Sequence, residues 1–183
     1  MLNFSSWHPL LRVTLRYGLV SGIVGFVVIL ILYYTGHHPF LIPVFLDYRI
    51  VFFAIFYVFA LREFRDFHNG GILHFWQGMI GSLAITVLFT IVSSSGIYLF
   101  AKSVPEFVQS YINLSMEQVQ SFSQEDIDRI GQEVYDAGLQ SLKQADAYFL
   151  ASRYFVQSLI LSFFISIIIS VILRRQPKLT DHG

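Results

Sequence analysis

Cysteine is missing from the 183-residue chain. Its absence excludes disulfides, thiolate metal sites, cysteine nucleophiles and cysteine redox chemistry. Charge is scarce as well: Asp, Glu, Lys and Arg make up 13% of residues, against roughly 25% in an ordinary soluble domain. So few charges cannot cover a water-facing surface, which excludes a disordered chain, a coiled coil and most soluble enzymes. The 12 basic and 12 acidic residues cancel, so no basic excess points to nucleic acid as a partner. No H-E-x-x-H, G-x-S-x-G, Walker or Rossmann pattern occurs, and neither an enzyme activity nor a catalytic, cofactor-binding or metal site is expected. The six histidines form no cluster in sequence; His37 and His38 are adjacent before Pro39, in a turn.

What fills the chain is apolar, 55% of it, and it falls in long runs. A helix crosses the roughly 30 Å hydrocarbon core with about 20 mostly apolar residues. Four segments meet that test, at about 17–35, 40–61, 75–100 and 154–173. Helices are the solution for open-chain runs in lipid, because each unpaired backbone group there costs several kcal/mol. The first run is about 19 residues long, beyond the h-region of a cleaved signal peptide. Tyr33 and Tyr34 lie at its end, as in a membrane-interface belt, where a small-x-small cleavage site would otherwise stand. The predicted fold is all-α: an integral membrane four-helix bundle, one domain, with an outward helical insert over 103–152.

Basic residues set the predicted orientation. Arg12 and Arg16 precede the first run, Arg62 and Arg65 follow the second, and Arg174, Arg175 and Lys178 follow the fourth. The link 36–39 has no Lys or Arg, and 103–152 sets Arg129 and Lys143 against eight acidic residues. By the positive-inside rule both termini face the cytoplasm and 103–152 faces outward. Within that insert, Val104-Pro105-Glu106 suits a helix start. Ser115-Met116-Glu117-Gln118 and Ser123-Gln124-Glu125-Asp126 both resemble capping signatures, and two or three short helices are expected, the last running into the fourth span. An acidic solvated cap and a docking surface for a partner are both open readings of it.

Two patterns speak to packing. Ser158, Ser162, Ser166 and Ser170 recur every fourth residue, a slowly winding stripe on one helix face. Small residues let helices approach closely in lipid, and serines add interhelical hydrogen bonds. Gly18 and Gly22 in the first run offer a partner face for the stripe, and Gly78 marks another in the third. These faces serve either packing within one bundle or a seam with a homodimer mate or another membrane protein.

Asp47 and Arg49 pose the chemical question. In a helix starting near Phe40, Asp47 would lie about 10 Å inside, and two residues of helix would point the pair roughly 200° apart. Each would then need another partner. Arg153 is the expected one for Asp47, with Gln157 one turn deeper. Asp47, Arg49, Arg153 and Gln157 therefore form a predicted intramembrane polar cluster, since ionisable groups in membrane are functional-site hypotheses by default; a structural ion pair is the alternative.

The link Phe64-Arg65-Asp66-Phe67-His68-Asn69-Gly70-Gly71, running on through His74-Phe75-Trp76-Gln77-Gly78, resembles the family called domain of unknown function 4199. Its members are small membrane proteins found mostly in Bacteroidetes-type bacteria, and carry F-R-D, a Gly-rich turn and a Phe opening the next span. The resemblance implies a four-span, multi-pass protein of the inner membrane with no assigned activity or site. It also implies gene neighbours that include a membrane glycosyltransferase working on polyprenyl phosphate, hence an envelope pathway. The same link reads physically as a tight cytoplasmic hairpin. Arg62 and Arg65 can meet anionic headgroups, Glu63 and Asp66 can offset them, and Gly70-Gly71 permits the reversal. The expected function is a non-enzymatic accessory or scaffold subunit of a membrane or envelope complex, with lipid, another membrane protein or a second copy as partner. The alternative is a small transporter or channel component whose polar path runs through Asp47, Arg49 and Arg153.

Overall fold

A computed structural model describes residues 9–43 and 46–176. Lys178, counted above among the bases after the fourth run, lies outside the described residues. Among the described residues seven α-helices follow one another: α1 (Pro9–Tyr34), α2 (Tyr48–Glu63), α3 (Phe75–Ser103), α4 (Pro105–Gln120), α5 (Gln124–Ile130), α6 (Gln132–Lys143) and α7 (Ala147–Leu173). A 3-10 turn, Pro39–Leu41, precedes α2, and a π-helical turn, Phe64–His68, follows it. There is no strand among the described residues. Three helices, α1, α3 and α7, are long and apolar enough to cross a membrane.

Glycines bring α1 and α3 together running in the same direction. A Cβ on Gly18 would meet Leu88, on Gly22 Val92, and on Gly25 Phe89, while one on Gly96 would meet Phe26. Ser93 Oγ donates to the Gly22 carbonyl at 2.8 Å, an interhelical bond that this close approach permits. α7 runs opposite to α3. Gly78 receives Ser170, whose Oγ would lie 2.7 Å from an added Cβ, and Ser166 Oγ reaches Met79 Sδ at 3.6 Å. α2 also opposes α3: its Tyr57 hydroxyl bonds Thr86 Oγ1, and Phe53 packs on Phe89 with ring centroids 4.8 Å apart. Phe53, Tyr57, Leu61, Ile85 and Phe89 are all buried where these helices meet.

The serine stripe lies wholly inside, all four residues at 0% exposure, but its partners differ from expectation. It faces α3 and α2, because the α1 glycines are already filled by Leu88, Val92 and Phe89 of α3. Ser162 and Ser166 donate to carbonyls of their own helix, at Leu159 and Phe163, and chiefly supply small volume. Ser158 is the member that accepts from another helix, through Arg49.

The second apolar run is not a helix from Phe40. Pro39 and Pro43 interrupt it: proline lacks the N–H a helix interior needs and pushes its preceding residue toward extended backbone. Ile42 is accordingly extended (φ −69°, ψ 129°). The helix starts only at Tyr48, where Asp47 is the N-cap and accepts from the Arg49 backbone N–H at 2.9 Å.

Between α3 and α7 the chain forms three helices. Pro105 sits at the first position of α4, and Ser123 opens α5 with a reciprocal capping box to Asp126. Ser115 caps nothing. It lies mid-helix in α4, because the face Phe107–Tyr111–Ser115 is buried and carries the helix through. Gly131, at φ +89°, separates α5 from α6. A break at Gln144 separates α6 from α7, whose N-cap is Asp146, so the last short helix does not run into the fourth apolar run. α7 itself begins seven residues before 154.

Candidate functional site

The polar cluster is built at the start of α2. Because Asp47 is extended rather than helical, the 200° separation expected of a helix does not apply, and Arg49 folds back onto its neighbour. Arg49 Nε lies 2.9 Å from each Asp47 carboxylate oxygen, and Nη2 lies 2.5 Å from Oδ2. Both side chains are about nine-tenths buried, at 10% and 11% exposure. Asp47 therefore pairs with Arg49, not with Arg153: a partner two residues away costs little chain entropy to bring into place.

Arg49 also fastens α2 to α7. Nη1 donates to Ser158 Oγ at 2.8 Å and approaches the Tyr154 carbonyl at 3.4 Å; Nη2 approaches Gln157 Oε1 at 3.4 Å. Its guanidinium lies 4.7 Å from the Tyr154 ring centroid, a cation–π geometry. Tyr48 and Tyr154 share a hydroxyl hydrogen bond of 2.8 Å. One cluster thus joins the tops of α2 and α7. Asp47, Arg49, Arg153 and Gln157 line one cavity of about 410 Å³ together with Phe40, Tyr48 and Tyr154. Ile160, Leu161 and Phe164 of α7 also line it, while Phe53, Tyr57 and Phe89 are packed away at 0–1% exposure.

Arg153 turns the other way, donating to the Tyr111 hydroxyl on α4. There it joins an aromatic layer that binds α4 to the long helices. Phe107 packs against Tyr33, Phe100 and Phe40 at centroid distances of 5.0, 5.2 and 6.1 Å. His38, at 7% exposure, stacks on Phe107 at 5.0 Å, and its Nε2 lies 3.2 Å from the Phe107 carbonyl. Sequence reasoning missed His38, Tyr48, Tyr111 and Tyr154. The tyrosines stood where interface aromatics are expected, but their partners come from 42 to 106 residues away.

Burial lowers the proton affinity of His38, with the Phe107 carbonyl pulling weakly the other way. The folded protein therefore holds this imidazole neutral, while the unfolded chain takes up its proton near pH 6.5. Stability contributed here is full above about pH 6.5 and falls as pH drops below that value. Thermal unfolding in detergent between pH 8 and 5 should show this loss, and His38→Gln should flatten it. An unchanged slope in that variant would place the pH sensitivity elsewhere.

At the other end, Arg65 pairs with Asp66 at 2.6 Å and holds its carboxyl below the usual range through that hydrogen bond. Arg65 Nη1 reaches the Leu173 carbonyl at 3.5 Å. Leu73 and Arg175 exchange two backbone hydrogen bonds of 2.9 Å. Glu63 meets Arg16 and the Tyr17 hydroxyl; of the two acids expected to offset Arg62 and Arg65, Glu63 is thus engaged by α1. Gly70 and Gly71, at φ +60° and +79°, make the reversal. Among the described residues no group of three or more His, Cys, Asp or Glu is placed to hold a metal ion.

A family model described as a protein of unknown function (DUF4199) matches residues 16–175, in agreement with the resemblance carried by 64–78. No curated protein and no solved structure matches the chain.

Proposed function

Since the chain belongs to the DUF4199 family of unknown function, we propose its role from its geometry: a non-enzymatic accessory or scaffold subunit of a bacterial inner-membrane complex, crossing the membrane four times. Support for four crossings is the parallel contact of α1 with α3, because the chain must return across the bilayer between them. α2 supplies that return: 16 residues cover about 24 Å, and its N-cap Asp47 is extended rather than helical. Support for cytoplasmic termini is the gathering of Arg16, Arg62, Arg65 and Arg175 at one end. The insert 103–152 then faces outward.

The observation that carries the accessory reading is the closed, nine-tenths buried Asp47–Arg49 pair, with Phe53, Tyr57 and Phe89 fully buried in the helix packing. A conducting path needs successive polar groups across the membrane, whereas the Thr86 and Thr90 hydroxyls below donate to carbonyls of their own helix. Because the serine and glycine faces are consumed inside the molecule, a partner helix needs another surface. A groove of about 620 Å³ between α3 and α7 offers one, floored by Ser94, Ser95, Ala151 and Ser152 and flanked by Tyr98 and Phe155. Ser94 Oγ is buried there without a hydrogen-bond partner. The fitting occupant is a transmembrane helix of another membrane protein that can reach this hydroxyl.

The cysteine-free background makes the test direct. Ser95→Cys in native membranes should give a disulfide or short bismaleimide adduct with one membrane protein, identified by mass spectrometry. Val156→Trp, which would obstruct the groove, should reduce it at least tenfold. An adduct of twice the chain mass would assign the groove to a second copy; no adduct at all would overturn the docking reading. The cavity shared by Asp47, Arg49, Arg153 and Gln157 favours a second reading as a transporter component, for which loss of solute flux in Asp47→Asn vesicles is the required result.

A further inference from the structure

Arg153 stands where two cavities meet. One, of about 400 Å³, lies among α4, α5, α6 and α7; the other is the cavity of about 410 Å³ that descends α7, and Phe40, Ile42 and Arg153 line both. In the first, Arg153 is the single charged lining residue among the described residues, and the walls include Val119, Phe122, Val134 and Phe149. In the second the carboxylate of Asp47 is already taken by Arg49. The partner of Arg153 is the neutral hydroxyl of Tyr111, with the guanidinium 5.8 Å from that ring's centroid. Among the described residues, its charge is therefore offset by no carboxylate in either cavity. Ser115 adds an independent mark: it lines the first cavity, is 6% exposed, and its Oγ has no hydrogen-bond partner. Below Arg153 the α7 cavity becomes apolar, through Ile160, Leu161 and Phe164. From Arg153 to Phe164 the helix advances roughly 16 Å, a length that suits an alkyl chain.

We propose that Arg153 holds the anionic headgroup of a membrane lipid, with the Ser115 hydroxyl as a further donor in the head cavity and one acyl chain lying along Ile160, Leu161 and Phe164. The inference rests on the membrane reading above and is independent of the groove between α3 and α7. Charge complementarity selects the occupant: a cation lacking a carboxylate, a cavity of mixed lining with Ser115, Gln118, Tyr135 and Ser141 on one side of it, and lipid-depth apolar surface on the other.

The test is binding of phosphatidylglycerol against phosphatidylcholine to the full chain in detergent, read by native mass spectrometry and by thermal shift. The wild type should prefer the anionic lipid. Arg153→Gln should lose about tenfold in affinity for it, the scale of one charge-assisted hydrogen bond, and Arg153→Lys should keep most of the binding. Ile160→Trp, which would crowd the acyl path, should also weaken phosphatidylglycerol. No preference in the wild type would overturn the proposal even if Arg153→Gln failed to fold. Undiminished phosphatidylglycerol binding by a folded Arg153→Gln would do the same. Displacement of the lipid by millimolar inorganic phosphate, with Ile160→Trp silent, would assign the site to a soluble phosphate and also overturn it. Loss of the Ser95→Cys adduct would leave this result untouched, so the two readings fail separately.

Discussion

Arg49→Leu is expected to destabilise the protein by about 3–5 kcal/mol, the cost of leaving one partner of a buried pair uncompensated. Asp47 would keep its place at the N-terminus of α2, 11% exposed, with its main cationic partner gone. Ser158 and Gln157 would lose their contacts to α2, and the Tyr154 ring would lose its cation. Asp47→Asn is expected to cost less, since asparagine can still cap the helix, although Arg49 then lacks its counter-charge. The double variant Asp47→Asn/Arg49→Leu should be more stable than Arg49→Leu alone, because no unpaired carboxylate remains. Thermal unfolding in micelles, with the double-mutant cycle, measures the coupling. A near-zero coupling would mean that water or lipid solvates the pair and that it does not hold α2 against α7.

Gly78→Leu is the second large effect. An added Cβ alone would lie 2.7 Å from Ser170 Oγ, 2.9 Å from its Cβ and 3.2 Å from its Cα. The last of these is backbone, so no rotamer change relieves it and α3 must move from α7. Inserting methylenes into close packing costs about 1–3 kcal/mol or more, and here the separation would also open the contact of Ser166 with Met79. Gly78→Ala should show a smaller loss that Ser170→Gly partly reverses. Gly138 is the internal control: nothing lies within 4 Å of a Cβ there, and Gly138→Ala in α6 should be neutral or stabilising by up to about 1 kcal/mol. Equal changes for Gly78→Ala and Gly138→Ala would show that interhelical contact does not govern Gly78.

The apolar runs made α1, α3 and α7 readable, because hydropathy registers composition along a continuous helix. The same measure hid the true start of α2. It counts 40–47 as apolar and ignores that Pro39 and Pro43 stop a helix, which is a backbone property. From that one error came the misassigned partner of Asp47, since the angular argument holds only within a helix. The cap at Ser123 was legible because its partner is three residues away, whereas the similar Ser115 pattern was overridden by burial of the α4 face. Tyr154, Tyr111 and His38 were not legible: each is defined by a contact from a distant helix or turn, and one sequence carries no record of such pairs. The four residues of the polar cluster were picked out by polarity alone. Their geometry, and the second cavity around Arg153, required the fold.

Single-cysteine labelling of the otherwise cysteine-free chain tests the central proposal most directly. His68 and Gln120 are both exposed, on the link after α2 and at the end of α4. In spheroplasts an impermeant maleimide should label Gln120→Cys at once and His68→Cys only after the membrane is permeabilised. Labelling of both positions from the same side would mean that α2 does not cross the bilayer, and would contradict the four-span architecture on which the accessory reading stands.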